Sequence, residues 1–126
     1  MLSQSNAHAT IAVKNLEEAR KFYSDKLGLT AEETPGGLIY RCGEGSWFFL
    51  YSTTTAQPVE HTVMGWNVDS IEDEVKELKT AGIEFIEYDI PPLKTVDGIA
   101  TFESNKAAWF KDPEDNVLSL IEITSK

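Results

Sequence analysis

A strand-to-helix unit occurs twice in this chain, and this repetition limits the folds that the chain can adopt. Residues 8–13 (HATIAV) alternate in polarity, as a half-buried strand does, and a helical segment with an apolar stripe follows and ends at Gly28. Residues 63–68 (VMGWNV) begin the same order of elements 55 residues later, and this second helical segment ends at Gly82. The repeat predicts two half-domains that face each other across a shared cleft.

Length and charge limit the number of domains and the kinds of partner that this chain can have. With 126 residues and 41% hydrophobic content, the chain can bury one core, so the two half-domains are expected to share it. The 21 acidic and 11 basic residues give a net charge of −10, which opposes binding to nucleic acids and to anionic membranes. A neutral or cationic small molecule is therefore the expected partner. The single cysteine and the lack of a long apolar run predict a disulfide-free, cytoplasmic protein without a membrane span.

The pattern predicts one α+β domain built from two tandem βαβββ units, at about residues 7–52 and 61–124, with a linker at 53–60. In the first unit, Asn15 is expected to cap a helix, and strands are expected near 29–34, 38–42 and 47–52. In the second unit, strands are expected near 83–88, 107–111 and 117–123, with a turn at 112–116. The intervening segment 89–106 is predicted to be a long loop, either a lid or a surface loop.

Three segments resemble a known superfamily. They are HATIAV at 8–13, the helical segment with FY at 22–23 and LGL at 27–29, and WFKDPEDN at 109–116. In this order they are similar to the glyoxalase, bleomycin-resistance and extradiol-dioxygenase superfamily, also called vicinal oxygen chelate proteins. The resemblance implies the tandem βαβββ fold and a homodimer. It leaves the activity open, because this fold hosts isomerases, dioxygenases, thiol transferases and non-catalytic drug binders.

The resemblance also implies four metal-ligand positions, on the first and last strands of each unit. They fall on His8, Phe49, Val63 and Ser119, and only His8 keeps a typical ligating side chain. Valine and phenylalanine offer a divalent ion neither donor atoms nor room. The residues therefore predict that no metal cofactor is bound.

A relocated metal site is the alternative. It would combine His8 with His61 and a carboxylate such as Glu122, although strand parity turns Glu122 away from the face that holds Ser119. With such a site, or with His8 as a metal-free acid or base, the chain would be a lyase, isomerase or dioxygenase.

Strand parity assigns aromatic and polar side chains to the cleft. Phe48 and Leu50 are predicted to face the core, so the residues that alternate with them face the ligand. Flat rings stack on planar or cationic groups, and polar side chains orient the bound molecule. The favoured function is therefore small-molecule binding of the drug-sequestering type, and an interaction module with a self-filled cleft is a further interpretation. The predicted ligand-binding residues are His8, Thr10, Trp47, Phe49, Tyr51, Val63, Asn67, Trp109 and Ser119.

Overall fold

The computed structural model describes residues 2–57 and 60–123. The chain divides into two compact units, Met1–Pro58 and Val59–Lys126, and the boundary between them falls in the segment predicted to be a linker. Linker residues 58 and 59, and residue 124 at the predicted end of the second unit, lie outside the described residues. Each unit contains strands and a helix, in agreement with the predicted α+β class.

The first unit has the order strand, helix, three strands. The elements are β1 (Ala9–Val13), α1 (Leu16–Lys21), β2 (Ala31–Thr34), β3 (Gly37–Arg41) and β4 (Trp47–Ser52). Its sheet has the strand order β1-β4-β3-β2, in which β1 runs parallel to β4 and the other pairs are antiparallel. A π-helical turn, Phe22–Lys26, continues the helix, and short 3₁₀ turns lie at Leu2–Gln4 and Gly43–Gly45.

Helix α1 begins where the sequence predicts, and its π-helical extension ends just before Gly28, the predicted stop. The side-chain oxygen of Asn15 accepts a hydrogen bond from the main-chain N–H of Glu18 at 3.0 Å, which satisfies one of the free donors at the helix start. Gly28 adopts a φ of +73°, a conformation that glycine reaches without steric cost and that stops the helical path.

The core of the first unit lies between α1 with its π-helical extension and one face of the sheet. The ring of Tyr23 lies 5.5 Å from that of Phe48 and 5.8 Å from that of Tyr40, measured between centroids. All three side chains are buried. The strand residues that point to this core are those that alternate in β1 and β4, as predicted: Ile11, Val13, Phe48 and Leu50.

In its described residues, 60–123, the second unit contains one helix and six strands. The elements are β5 (Thr62–Asn67), α2 (Ile71–Thr80), β6 (Asp89–Ile90), β7 (Leu93–Val96), β8 (Ile99–Thr101), β9 (Asn105–Lys111) and β10 (Val117–Ile123). Its sheet has the order β5-β10-β9-β8-β7-β6, in which β5 runs parallel to β10 and the other pairs are antiparallel.

The predicted strand at 83–88 is wrong. Only Phe85 forms a bridge there, to Phe110, and the N–H of Ile86 makes a hydrogen bond of this bridge, to the carbonyl of Trp109 at 2.8 Å. The N–H of Ile83 instead bonds the last turn of α2 through the carbonyl of Leu78, at 3.0 Å. The segment is therefore held mainly by single contacts rather than by a ladder.

The predicted loop at 89–106 is also wrong, because most of it is strand. Turns at 91–92 and 97–98 fold it into β6, β7 and β8, and its last residues begin β9. The hydroxyl of Thr95 accepts from the N–H of Tyr88 at 2.8 Å and donates to the carboxylate of Glu87 at 2.5 Å. The same carboxylate accepts from the N–H of Gly98 at 3.1 Å, which fixes the second turn.

Helix α2 ends just before Gly82, the predicted stop. Its buried stripe consists of Ile71, Val75 and Leu78. The side chain of Ser70 caps its first turn, and Gly82, at a φ of +95°, follows its end. Within the described residues, no helix is both long enough and apolar enough to cross a membrane.

Candidate functional site

The predicted ligand-binding residues of the first unit lie on one side of its sheet. We call the side of each sheet that faces away from its helix the helix-free face. Phe48 and Leu50 point towards the helix, so the alternating residues of β4 lie on the helix-free face. Thr10 pairs with Phe49 across the β1–β4 ladder and lies on the same face. The four predicted residues of these two strands that this face brings together are Thr10, Trp47, Phe49 and Tyr51.

His8 lies immediately before β1 and stacks on Trp47. The two ring centroids are 3.9 Å apart, and the ring planes are inclined by 14°. His8 is exposed and Trp47 is half-buried. The imidazole therefore covers part of the indole, and a planar ligand would meet the imidazole or displace it.

Phe49 and Tyr51 form a second pair of nearly parallel rings, with centroids 6.3 Å apart and planes inclined by 10°. Phe49 has a packing role as well. A Cβ atom placed on Gly37 would lie 3.0 Å from its Cζ atom, and one placed on Gly36 would lie 3.5 Å from it. The ring thus rests on the turn between β2 and β3.

The sequence interpretation missed three residues of the same face. Ile39 pairs with Phe49, and Arg41 pairs with Trp47, in the β3–β4 ladder. The Nε atom of Arg41 donates to the carboxylate of Glu32 on β2. Both side chains of this ion pair are largely exposed, at 63% and 48%, so the pair contributes little to stability. Strand parity could have identified Ile39 and Arg41, because the residues that alternate with them, 38 and 40, have the pattern of core positions.

The predicted residues of the second unit also share one face of their sheet. Ser119 pairs with Gly65 on one side and with Trp109 on the other. Val63 and Asn67 lie two residues from Gly65 on β5, and so point to the same side. This face is the helix-free one, because the adjacent residues of β10 point towards α2.

Ser119 is buried and occupies the space above Gly65. A Cβ atom on Gly65 would lie 2.2 Å from the Oγ atom of Ser119 and 3.0 Å from its carbonyl oxygen. Glycine is therefore the residue that lets the two strands approach here. Beside them, Trp109 meets the ring of Tyr88 edge to face, with centroids 5.3 Å apart.

The residues at the four family ligand positions do not fit a divalent metal ion. Phe49 and Val63 carry no donor atom, and the hydroxyl of Ser119 lies against Gly65. The carboxylate of Glu122 accepts a hydrogen bond at 2.8 Å from the N–H of Ile71, the first residue of α2, so it points to the helix side. In residues 2–57 and 60–123, no group of three or more histidine, cysteine or acidic side chains is arranged to hold a metal.

A family model and several solved structures match this chain. The model of the Glyoxalase/Bleomycin resistance protein/Dioxygenase superfamily matches residues 6–120. No curated protein gives a match. Among solved structures, a protein assigned to the glyoxalase family from Bacillus anthracis is 23% identical, with 95% of each chain covered and a TM-score of 0.74.

Two further structures show the same fold. A glyoxalase family protein from Enterococcus faecalis is 21% identical, with 97% of this chain and 100% of that chain covered, and a TM-score of 0.71. The fosfomycin resistance protein FosX from Listeria monocytogenes is 15% identical, with 94% and 93% covered and a TM-score of 0.66. At these identities the likeness extends to the fold alone.

Proposed function

The chain belongs to the glyoxalase, bleomycin resistance protein and dioxygenase superfamily, and we propose that it binds a small aromatic or cationic molecule in a cleft without a metal ion. One observation carries this proposal: two pairs of nearly parallel rings lie on the helix-free face of the first unit. Such rings offer contact area to planar groups and a negative face to cations. The rings are those of His8, Trp47, Phe49 and Tyr51.

The polar residues near these rings suit recognition of a ligand with few charges. Thr10 lies beside Phe49 and offers a hydroxyl that both donates and accepts hydrogen bonds. The charge of Arg41 is balanced by Glu32, so ring stacking dominates this part of the face. On the helix-free face of the second unit, the proposed ligand-binding residues are Val63, Asn67, Trp109 and Ser119.

The chemistry available to His8 favours binding over catalysis. A catalytic histidine is normally oriented by a hydrogen bond to its second ring nitrogen. In the described part of the chain, His8 has no hydrogen-bond or ion-pair partner, and its ring contact is with Trp47. The alternative of a metal-dependent lyase, isomerase or dioxygenase would need ligands that the residues at the family positions do not supply.

The experiment that tests the proposal compares two tryptophan variants by isothermal titration calorimetry. The probes are ethidium, which is planar and cationic, 1-naphthol, which is planar and neutral, and cyclohexylammonium, which is cationic and not planar. We expect at least one planar probe to bind, and Trp47→Leu to weaken its binding. Trp66→Phe is the matched control, because Trp66 stacks on Phe110 in the second unit, outside the proposed surface.

Two outcomes would contradict the proposal. The first is that none of the three probes binds the wild-type protein. The second is that Trp47→Leu and Trp66→Phe bind the planar probe as tightly as the wild type does. Circular dichroism of each variant verifies that the fold is retained.

A cytoplasmic homodimer is part of the proposal. Strand β2 is an edge of the first sheet and β6 is an edge of the second, and edge strands offer backbone groups that a second copy can cover. Analytical ultracentrifugation tests the dimer, and cell fractionation tests the location. A monomer at micromolar concentration, or a membrane-associated pool, would contradict these two points.

A further inference from the structure

A groove of about 570 Å³ lies in the second unit, between α2 and the hairpin formed by β7 and β8. Its volume falls in the range of roughly 300–1,000 Å³ that is common for small-molecule sites. Lys76 and Lys79 of α2 line one side, and Val96 and Ile99 of the hairpin line the other. Since α2 lies on the opposite side of the sheet from Ser119, the groove is separate from the helix-free face.

The hairpin side of the groove is apolar and open. Val96 and Ile99 face each other as a pair in the β7–β8 ladder. Val96 is 67% exposed, although it is a β-branched apolar residue within a strand. Covering this side chain with an apolar group removes it from water, which is favourable. The groove can therefore hold the apolar part of a ligand.

The helix side of the groove is cationic. Lys76 and Lys79 are three residues apart on α2, so their side chains leave neighbouring positions of the helix surface. The ammonium group of Lys79 donates to the main-chain oxygen of Asp97 at 3.3 Å, which holds it beside the turn between β7 and β8. No carboxylate among the described residues forms an ion pair with Lys76 or Lys79.

The acidic residues of the groove leave this charge only partly balanced. The carboxylate of Glu72 is paired with Lys106, with 2.6 Å between Oε2 and Nζ. Asp97 is the other acidic residue of the lining, which contains two acidic and two basic side chains. Because Lys106 neutralises Glu72, one positive charge remains in excess at the groove, although the chain has a total charge of −10 and its overall field favours cations.

We propose that this groove is a second ligand site, which takes an amphipathic anion: a carboxylate attached to a short apolar chain. The carboxylate lies near the ammonium groups of Lys76 and Lys79, where charge-assisted hydrogen bonds form. The apolar chain lies on Val96 and Ile99. The inference does not depend on the proposed function, because none of these residues belongs to the helix-free faces.

Octanoate is the probe that tests this site, with 1-octanol as its uncharged counterpart. Binding is measured by ¹H–¹⁵N chemical-shift titration, which also reports which residues respond. We expect octanoate to shift the amides of α2 and of the β7–β8 hairpin, and to bind more tightly than octanol. The double variant Lys76→Gln/Lys79→Gln should lose about five- to tenfold in affinity, since each exposed charge contact adds little.

Two controls keep the test specific. Lys21→Gln removes a lysine of the first unit and should leave octanoate binding unchanged. Val96→Ser removes the apolar contact without altering the charge and should weaken both octanoate and octanol. The proposal is overturned if octanoate shifts no residue of the groove, or if the double lysine variant binds it as well as Lys21→Gln does.

Discussion

The imidazole of His8 lies flat against the indole of Trp47, with ring centroids 3.9 Å apart. His8 is the one family ligand position that keeps a typical metal-binding side chain, yet its observed contact is with an aromatic ring. This relationship links the retained histidine to the aromatic surface rather than to a set of carboxylates.

Replacement of Phe49 should lower the free energy of unfolding more than replacement of Tyr51 does. Phe49→Ala removes a ring that packs on the β2–β3 turn, so it should lower both ligand affinity and the free energy of unfolding, each by about 1–3 kcal/mol. Tyr51→Leu keeps apolar volume and should lower affinity more than stability. Urea denaturation and calorimetry separate the two effects, and equal affinity in all three proteins would exclude these rings from the site.

Glu122 should be a stabilising residue of α2. Glu122→Ala leaves the N–H of Ile71 without its acceptor at the helix start, and should cost about 1–2 kcal/mol of unfolding free energy. Glu103→Ala, an exposed acidic residue between β8 and β9, is the control and should change stability little. A Glu122→Ala variant as stable as the wild type would show that this bond is not formed in solution.

Gly65 should tolerate a larger residue only when Ser119 is made smaller. Gly65→Ala places a Cβ atom 2.2 Å from the Oγ atom of Ser119, and should destabilise the protein by about 1–3 kcal/mol. Ser119→Ala in the same chain should recover part of this loss, because it removes the oxygen but not the nearby carbonyl. A double-mutant cycle measures the coupling. Additive effects would contradict the packing described here.

The Glu72–Lys106 ion pair should make stability depend on pH at both ends of the scale. The hydrogen bond from Lys106 lowers the pKa of Glu72 below its usual 4.5, and the same bond raises the pKa of Lys106 above its usual 10.5. The contribution of this ion pair to the free energy of unfolding is therefore fully present between pH 4.5 and pH 10.5. It is lost as the pH falls through the lowered pKa of Glu72, or rises through the raised pKa of Lys106.

Lys106→Met tests this dependence. The stability difference between wild type and variant should be nearly constant from about pH 5.5 to 9.5, and should shrink at pH 3 and at pH 12. Added salt should reduce it, because both groups are accessible to solvent. A difference that does not change with pH would assign the effect to packing of the lysine stem instead.

The sequence predicted the elements whose signals are local. Asn15 caps α1 as expected, and the alternation around Phe48 and Leu50 correctly separated the core face from the helix-free face. Strand parity also placed Glu122 on the side away from Ser119, and the hydrogen bond from Ile71 to Glu122 confirms this orientation. These features depend on short-range periods of 2 and 3.6 residues, which a sequence displays directly.

The sequence could not predict how the segment 83–106 pairs. The run IEFIEY at 83–88 has the composition of a strand, but its partners are decided by tertiary contacts such as that of Ile86 with Trp109. The hairpin at 97–98 did carry a signal, because Asp-Gly is a common turn pair, and the interpretation as a loop overlooked it. The ligand-binding roles of the site residues stay predictions.

Native mass spectrometry with a planar probe distinguishes metal-free binding from metal-dependent binding. The protein is first stripped of metal with a chelator and then offered ethidium or 1-naphthol, alone or with manganese, nickel, zinc or ferrous iron. Metal-free binding predicts a complex that contains the probe and no metal, with equal occupancy whether metal is added or not. A complex that forms only with a stoichiometric metal ion, and that His8→Ala abolishes, would contradict it.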